Sequence, residues 1–320
     1  MKWAVWSLLA LVIAAVAGPA NAQPVVACGD TVTHDVTLTA SLTGCSTGLV
    51  VGADGITIDL NGFSIEGVGA DGSVGIEANG RSGVAVRNGK VRGFATGVRY
   101  VSTVRSTISG LTIRDTVNGI FVGHSFVLPS IDANVVSWNI VKGGETGITS
   151  FGQGDQILWN KVVGASRNGI FVRGSITLGI ASLVANNRVS EGEVGIFQFD
   201  CTADLVENTI TDNRSDGVRQ WDSHSTLVDN RVTHNGGNGI IGADTHALYR
   251  QNVTNSNAGH GLFFNDVFGD HGHFMEVTRH TANENGGYGI FTPLEGVVDG
   301  GKNRAHGNGS DVECVGVVCK

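Results

Sequence analysis

Gly217-Val218-Arg219-Gln220-Trp221-Asp222-Ser223-His224, followed by Asp229-Asn230-Arg231-Val232, is answered 22 residues later by Gly239-Ile240-Ile241-Gly242-Ala243-Asp244-Thr245-His246 and Gln251-Asn252-Val253. Glycine, aspartate, histidine and asparagine all fall in step. Taking Gly followed by Ile, Val or Leu as a marker extends the match to Gly75, Gly97, Gly119, Gly147, Gly169, Gly195, Gly217, Gly239, Gly261 and Gly289. The intervals are 22, 22, 28, 22, 26, 22, 22, 22 and 28 residues, so three coils carry insertions into a constant unit. Such self-similarity is the signature of a repeat architecture.

Within each unit apolar and polar residues alternate over short stretches, which is the period of a strand and not of a helix. A unit this short has no room for paired helices but accommodates three short strands and their turns. Stacked coils bring equivalent residues ~4.8 Å apart as neighbouring parallel strands, and parallel crossovers are right-handed by default. The residues after the marker glycines then form an internal apolar ladder of Ile120, Ile148, Ile170, Ile196, Val218, Ile240, Leu262 and Ile290. Asn208, Asn230 and Asn252 form one further column, and Asn213, Asn235, Asn257 and Asn285 another. They suit corners, where Asn tolerates unusual backbone angles and can hydrogen-bond the coil above. The expected fold is all-β, a right-handed parallel β-helix.

These repeats resemble those of the right-handed parallel β-helix proteins, over roughly residues 50–312. That superfamily includes pectin and alginate lyases, polygalacturonases, mannuronan epimerases and the NosD-like periplasmic proteins. The resemblance implies the fold and leaves the chemistry open. The opening stretch from Cys28 through Gly52-Ala53-Asp54-Gly55-Ile56-Thr57-Ile58-Asp59-Leu60-Asn61-Gly62 also resembles the beginning of many secreted members.

The ends carry their own signals. Lys2, the apolar run Leu8 to Val16 and Ala20-Asn21-Ala22 read as a cleavable export signal over residues 1–22. No later apolar segment approaches the ~20 residues of a membrane-spanning helix. The expected organisation is therefore a signal peptide (1–22), an N-terminal cap (23–50), the solenoid (51–312) and a C-terminal cap (313–320), in a secreted or periplasmic protein without membrane insertion. Export permits disulfides, and the economical pairing is Cys28–Cys45 and Cys314–Cys319, leaving Cys201 as a buried thiol. The formal charge of −8 argues against nucleic acid, which rewards clustered Lys and Arg. Charged residues are 16% of the chain, against 48 glycines and 4 prolines, a composition that suits turns and strands.

Chemistry is sought in the repeat register. Five residues after the marker glycines stand Asp200, Asp222, Asp244 and Asp266. Neighbouring carboxylates ~5 Å apart would repel by ~3 kcal/mol at an effective dielectric of 20, which favours trapping a proton or a cation. Asp222 and Asp244, with His224 and His246 two residues on, are the candidate catalytic groups, the carboxylates at glycosidase-like separations and the imidazoles as acid, base or metal ligand. A structural reading competes, since Asp before Ser or Thr often bonds its own backbone at a turn. A calcium or other divalent cation is the cofactor such a column could hold. Two residues after the markers runs Phe121, Thr149, Phe171, Phe197, Arg219, Ile241, Phe263 and Phe291. Facing outward, it would offer sugar rings a platform, with Arg219, Trp221, Phe197, Phe263, Asp200 and Asp266 as substrate-binding residues; facing inward, it would be core. The inserted residues 123–129, 174–177 and 266–273 would wall a groove, the last bringing Asp270, His271 and His273 as a second place for a cation. The Arg-x-Pro-x-x-Arg of pectate lyases, the Asp-Pro-His-Asp of alginate epimerases and paired adjacent aspartates are absent. Two functions fit: a carbohydrate-active protein that binds and cleaves a polysaccharide, or a non-enzymatic envelope or surface binding module.

Overall fold

The computed structural model describes residues 25–124, 132–174, 179–265, 274–293 and 296–320. Residues 1–22, Asp266, Asp270, His271 and His273 lie outside them. The chain winds into about twelve coils of ~22 residues. Every strand pair joins one coil to the next in parallel, as in Asn118–Gly123 against Thr146–Phe151 and Val135–Ser137 against Gln156–Leu158. Among the described residues there is no helix, and so none long and apolar enough to cross a membrane.

Three sheet faces result. Face A carries Asn118–Gly123, Thr146–Phe151, Asn168–Arg173 and the start of Val194–Val206. Face B carries Val135–Ser137, Gln156–Leu158, Ser182–Ala185 and His246–Arg250. Face C carries Ile140–Lys142, Lys161–Val163, Arg188–Ser190 and Thr209–Thr211. The expected apolar ladder is inside: Ile120, Ile148, Ile170, Ile196, Val218, Ile240, Leu262 and Ile290 are fully buried and stack in register. The marker glycines are required by close approach. A Cβ at Gly119 would lie 2.4 Å from the carbonyl oxygen of Gly147, and one at Gly195 2.4 Å from that of Gly217. No side chain fits there.

The asparagines are buried and tie coil to coil. Along Asn139, Asn160, Asn187, Asn208, Asn230 and Asn252, each backbone N–H except the last donates to Oδ1 of the next Asn at 2.9–3.0 Å. Each Nδ2 but the last donates to that same oxygen, and all six donate to a carbonyl of the preceding coil, as Asn208 does to Asn230 and to the Val184 oxygen. Asn213, Asn235, Asn257, Asn285 and Asn308 repeat the arrangement at another corner. One expectation is corrected. The left-handed backbone belongs to the residue before each Asn, as at Glu207 (φ 54), Asp229 (φ 55) and Gln251 (φ 56). The Asn itself is held by its hydrogen bonds, which a buried amide must make to avoid a desolvation cost.

Disulfides join Cys28 to Cys45 and Cys314 to Cys319, as the spacing predicts. Cys201 is free and buried, and burial pushes its thiol up to about 12, so it is an unreactive protonated side chain at neutral pH. Asn208→Ala should destabilise the solenoid by about 2–3 kcal/mol, because amide and carbonyl groups on both sides lose partners inside. Gln156→Ala, at an exposed position, should cost less than about 0.5 kcal/mol. Urea unfolding of both variants measures the difference.

Candidate functional site

Among the described residues, the position five after a marker glycine stands at the corner between faces A and B. Asp200 (φ 47), Asp222 (φ 47) and Asp244 (φ 51) are all left-handed there, and Ser102 (φ 49) holds the same place in an earlier coil. Short polar side chains tolerate that backbone best, which gives the aspartate column a backbone role. Asp222 is exposed and Asp244 buried. Burial, and then the charge of Asp222, raise the carboxyl of Asp200 above its ordinary value, while Arg173 pulls it down. His224 and His246 pair in register on face B, ring centroids 4.7 Å apart and edge to face. They line a shallow depression of about 350 Å³ with Thr202, Asp204, Thr226 and Phe274. The backbone N–H of Phe274 donates to Nδ1 of His246 at 3.2 Å, and that of Thr226 to Asp204 at 3.0 Å.

The phenylalanine column faces outward and is half-buried. Phe171 stacks on Phe197 with centroids 5.3 Å apart, and Phe151 meets Phe171 edge on at 5.5 Å. Phe121 meets Phe151 in the same way at 5.5 Å, and Phe199 reaches Trp221 at 6.3 Å. Phe263 belongs to a separate stack with His260 and Phe291. Arg219 and Ile241 stand between the two groups. The Arg219 guanidinium donates to Asp216 at 2.6 and 3.0 Å and to Ser215 at 3.2 Å, so it is held by its own neighbours.

A second site lies farther up face A, where His124 takes the register place five after Gly119. A groove of about 540 Å³ is lined by Arg99, Phe121, His124, Glu145, Phe151, Arg167 and Phe171. At its edge Nε2 of His124 hydrogen-bonds to Oδ1 of Asp132, which is fully buried. Behind it lies Asp155, also fully buried. Asp155 accepts Ser150 Oγ at 2.7 Å and the Asn134 N–H at 2.9 Å, taking the place that an asparagine fills in the ladders. A Cβ on Gly152 would lie 2.4 Å from a carboxylate oxygen of each aspartate, so glycine is what lets the two acids converge. Burial, with the charge of Asp132 adding to it, raises Asp155 to about 7 against its two hydrogen bonds. An imidazole oriented by a buried carboxylate beside an aromatic groove can exchange a proton with a bound molecule. His124 opens one insertion, and Asp132 follows it. That interruption hides the pair from a search at constant spacing.

Residues 146–308 match the family described as right-handed beta helix region. The chain belongs to the right-handed β-helix proteins. Residues 39–213 match the family described as periplasmic copper-binding protein (NosD), which covers more than half the chain as well. No curated protein matches at the sequence level. Among solved β-helix structures, the A-module of a mannuronan C-5 epimerase of Azotobacter vinelandii aligns with 91% of this chain and 88% of its own, at 14% identity and TM-score 0.56. The Dettilon tailspike protein covers 86% of this chain and 61% of its own, at 13% identity and TM-score 0.59. A periplasmic alginate epimerase covers 87% and 73%, at 14% identity and TM-score 0.52. At such identities the likeness is one of fold. Among the described residues, no group of three or more His, Cys, Asp or Glu side chains is placed to hold a metal ion. The softer donors that copper favours are enclosed, Cys201 and Met275 both being buried.

Asp155 supplies a pH test. Its folded pKa lies above its unfolded one, so its contribution to stability is present below about pH 4 and lost as pH rises through about 7. Asp155→Asn should therefore stabilise the β-helix by a few kcal/mol, roughly, above pH 7 and give no gain below about pH 4. Denaturant unfolding of both proteins from pH 4 to 8 gives the difference; a pH-independent difference would contradict the assignment.

Proposed function

We propose that this protein binds a polysaccharide along face A, in the groove between Phe121 and Phe171, as a secreted or periplasmic β-helix protein. The observation that carries the reading is the outward row of phenylalanine rings walling a groove with His124 at its edge. Aromatic faces suit the apolar faces of pyranose rings, and a solenoid face repeats its contacts at the pace of a polymer. The structural relatives add support, since two of them are epimerases of mannuronan and alginate. His124, oriented by Asp132, is the group we assign to proton exchange with the bound chain. The aspartate column is the competing position for chemistry, with Asp222 and Asp244 catalytic and His224 or His246 assisting. Arg219 fits that scheme less well, because Asp216 already engages it.

The match to a copper-binding family favours a second reading, a metal-handling envelope protein, and His224 with His246 would be its starting donors. Two imidazoles fall short of a complete site, so the glycan reading leads.

The test is a panel of pectic, alginate and neutral polysaccharides, scored for binding, new reducing ends and ultraviolet-absorbing unsaturated products. Binding should occur and weaken about tenfold in Phe171→Ala, the loss expected when one aromatic contact is removed. Reducing ends without absorbance identify hydrolysis, absorbance identifies elimination, and binding alone identifies a recognition module. Any turnover should vanish in His124→Gln and persist in Asp222→Asn and Asp244→Asn. The reverse pattern would move the chemistry to the aspartate column. Silence across the panel, with stoichiometric copper uptake, would replace the glycan reading by the metal one.

A further inference from the structure

The corner between faces B and C carries a left-handed residue just before each asparagine of the first ladder. In consecutive coils these residues are Trp138 (φ 58), Trp159 (φ 53), Asn186 (φ 58), Glu207 (φ 54), Asp229 (φ 55) and Gln251 (φ 56). Four of the six are polar, as a left-handed solvent-facing corner demands. The other two are the bulkiest side chain available, and a bulky residue in this conformation is an outlier. Both indoles point into solvent, 62% exposed at Trp138 and 43% at Trp159. They lie parallel, with centroids 5.0 Å apart and planes 9° from each other. Their mutual contact covers one face of each ring and leaves the stack open at its ends.

The stack stops where the next coil offers only Asn186. There a hollow of about 440 Å³ is bounded by Trp159, Lys161, Asn186, Arg188 and Glu207. Lys161 and Arg188 are register neighbours on face C, and both are exposed. Other surface arginines are matched across coils, Arg92 to Glu66, Arg99 to Glu77 and Arg167 to Glu145. Among the described residues, Lys161 and Arg188 have no such ion-pair partner. Two adjacent cations therefore stand beside a flat aromatic surface, with an amide and a carboxylate opposite.

We infer that the Trp138–Trp159 stack is a binding site for an acidic sugar. The pyranose ring continues the stack on Trp159, its carboxylate reaches Lys161 and Arg188, and Asn186 and Glu207 take its hydroxyl groups. A ring with one apolar face and one acidic edge matches both features, and a neutral sugar would leave the cations unused. The site lies across the solenoid from the face A groove and does not rest on the reading of that groove.

The experiment titrates hexamers of galacturonate and of mannuronate into the full chain, with maltohexaose as the neutral control, using calorimetry and tryptophan fluorescence. Trp159→Asn installs the residue that the next coil carries at this corner, so the fold is retained and the melting temperature should hold or rise. One of the uronate hexamers should bind the wild type and Phe171→Ala alike at this site, and bind Trp159→Asn about tenfold or more weakly. Lys161→Ala with Arg188→Ala should weaken it comparably and flatten its salt dependence. Failure of both uronates to bind, or unchanged affinity in Trp159→Asn, overturns the proposal. Maltohexaose binding as tightly as the uronates would overturn the acidic class. A lower melting temperature with unaltered binding would make the stack a structural one.

Discussion

Stacking identical backbone in parallel forces each buried residue to fit its own counterpart one coil away. The asparagine ladders meet this condition most fully. Each Asn Oδ1 receives the backbone N–H and the side-chain Nδ2 of the preceding Asn, and its own Nδ2 returns to a carbonyl. A corner that would bury unpaired amides becomes a continuous hydrogen-bonded column, and the penalty for interrupting it is high. Glycine at the marker follows from the same constraint, because coils approach too closely there for a Cβ. So does the fully buried column of Ile, Val and Leu beside it.

With the interior so determined, the outer surface is where coils can differ. Corners that must turn left-handed favour Asn and Asp for backbone reasons, so a column of aspartates need not mean a column of catalysts. Asp200, Asp222 and Asp244 have this explanation available. Tryptophan at Trp138 and Trp159 does not. The second kind of departure is interior: Asp155 occupies a ladder place where an asparagine would serve without a charge, and Asp132 converges on it over Gly152. Both departures lie in the coils that follow the first insertion, next to two hollows of the described surface. Irregularity and concavity coincide.

The marker spacing alone gave the coil length, the parallel strands, the buried Ile column and, with the cysteine positions, both disulfides. These are legible because each is a local pattern copied with constant period. The identity of the left-handed residues was less legible, since Glu207, Asp229 and Gln251 share conformation without sharing chemistry. The Trp138–Trp159 pair escaped because it falls out of the marker register, Trp138 standing 19 residues after Gly119 in a 28-residue coil and Trp159 standing 12 after Gly147. His124 and Asp132 meet across an insertion, and nothing in a one-dimensional pattern closes that loop. The aspartate–histidine column was conspicuous for the opposite reason: repetition amplifies a structural preference as readily as a functional one.

The central claim is that ligands meet this solenoid in the coils around its first insertion. Hydroxyl-radical footprinting of the full chain, with and without saturating polyuronate, reads aromatic side chains directly and tests it best. Phe121, Phe151 and Phe171 in the groove and Trp138 and Trp159 at the corner should be protected. Oxidation of Trp221, His224 and His246 should be unchanged. Protection centred on Trp221, His224 and His246, with the groove and the tryptophan pair as reactive as in the free protein, would contradict it.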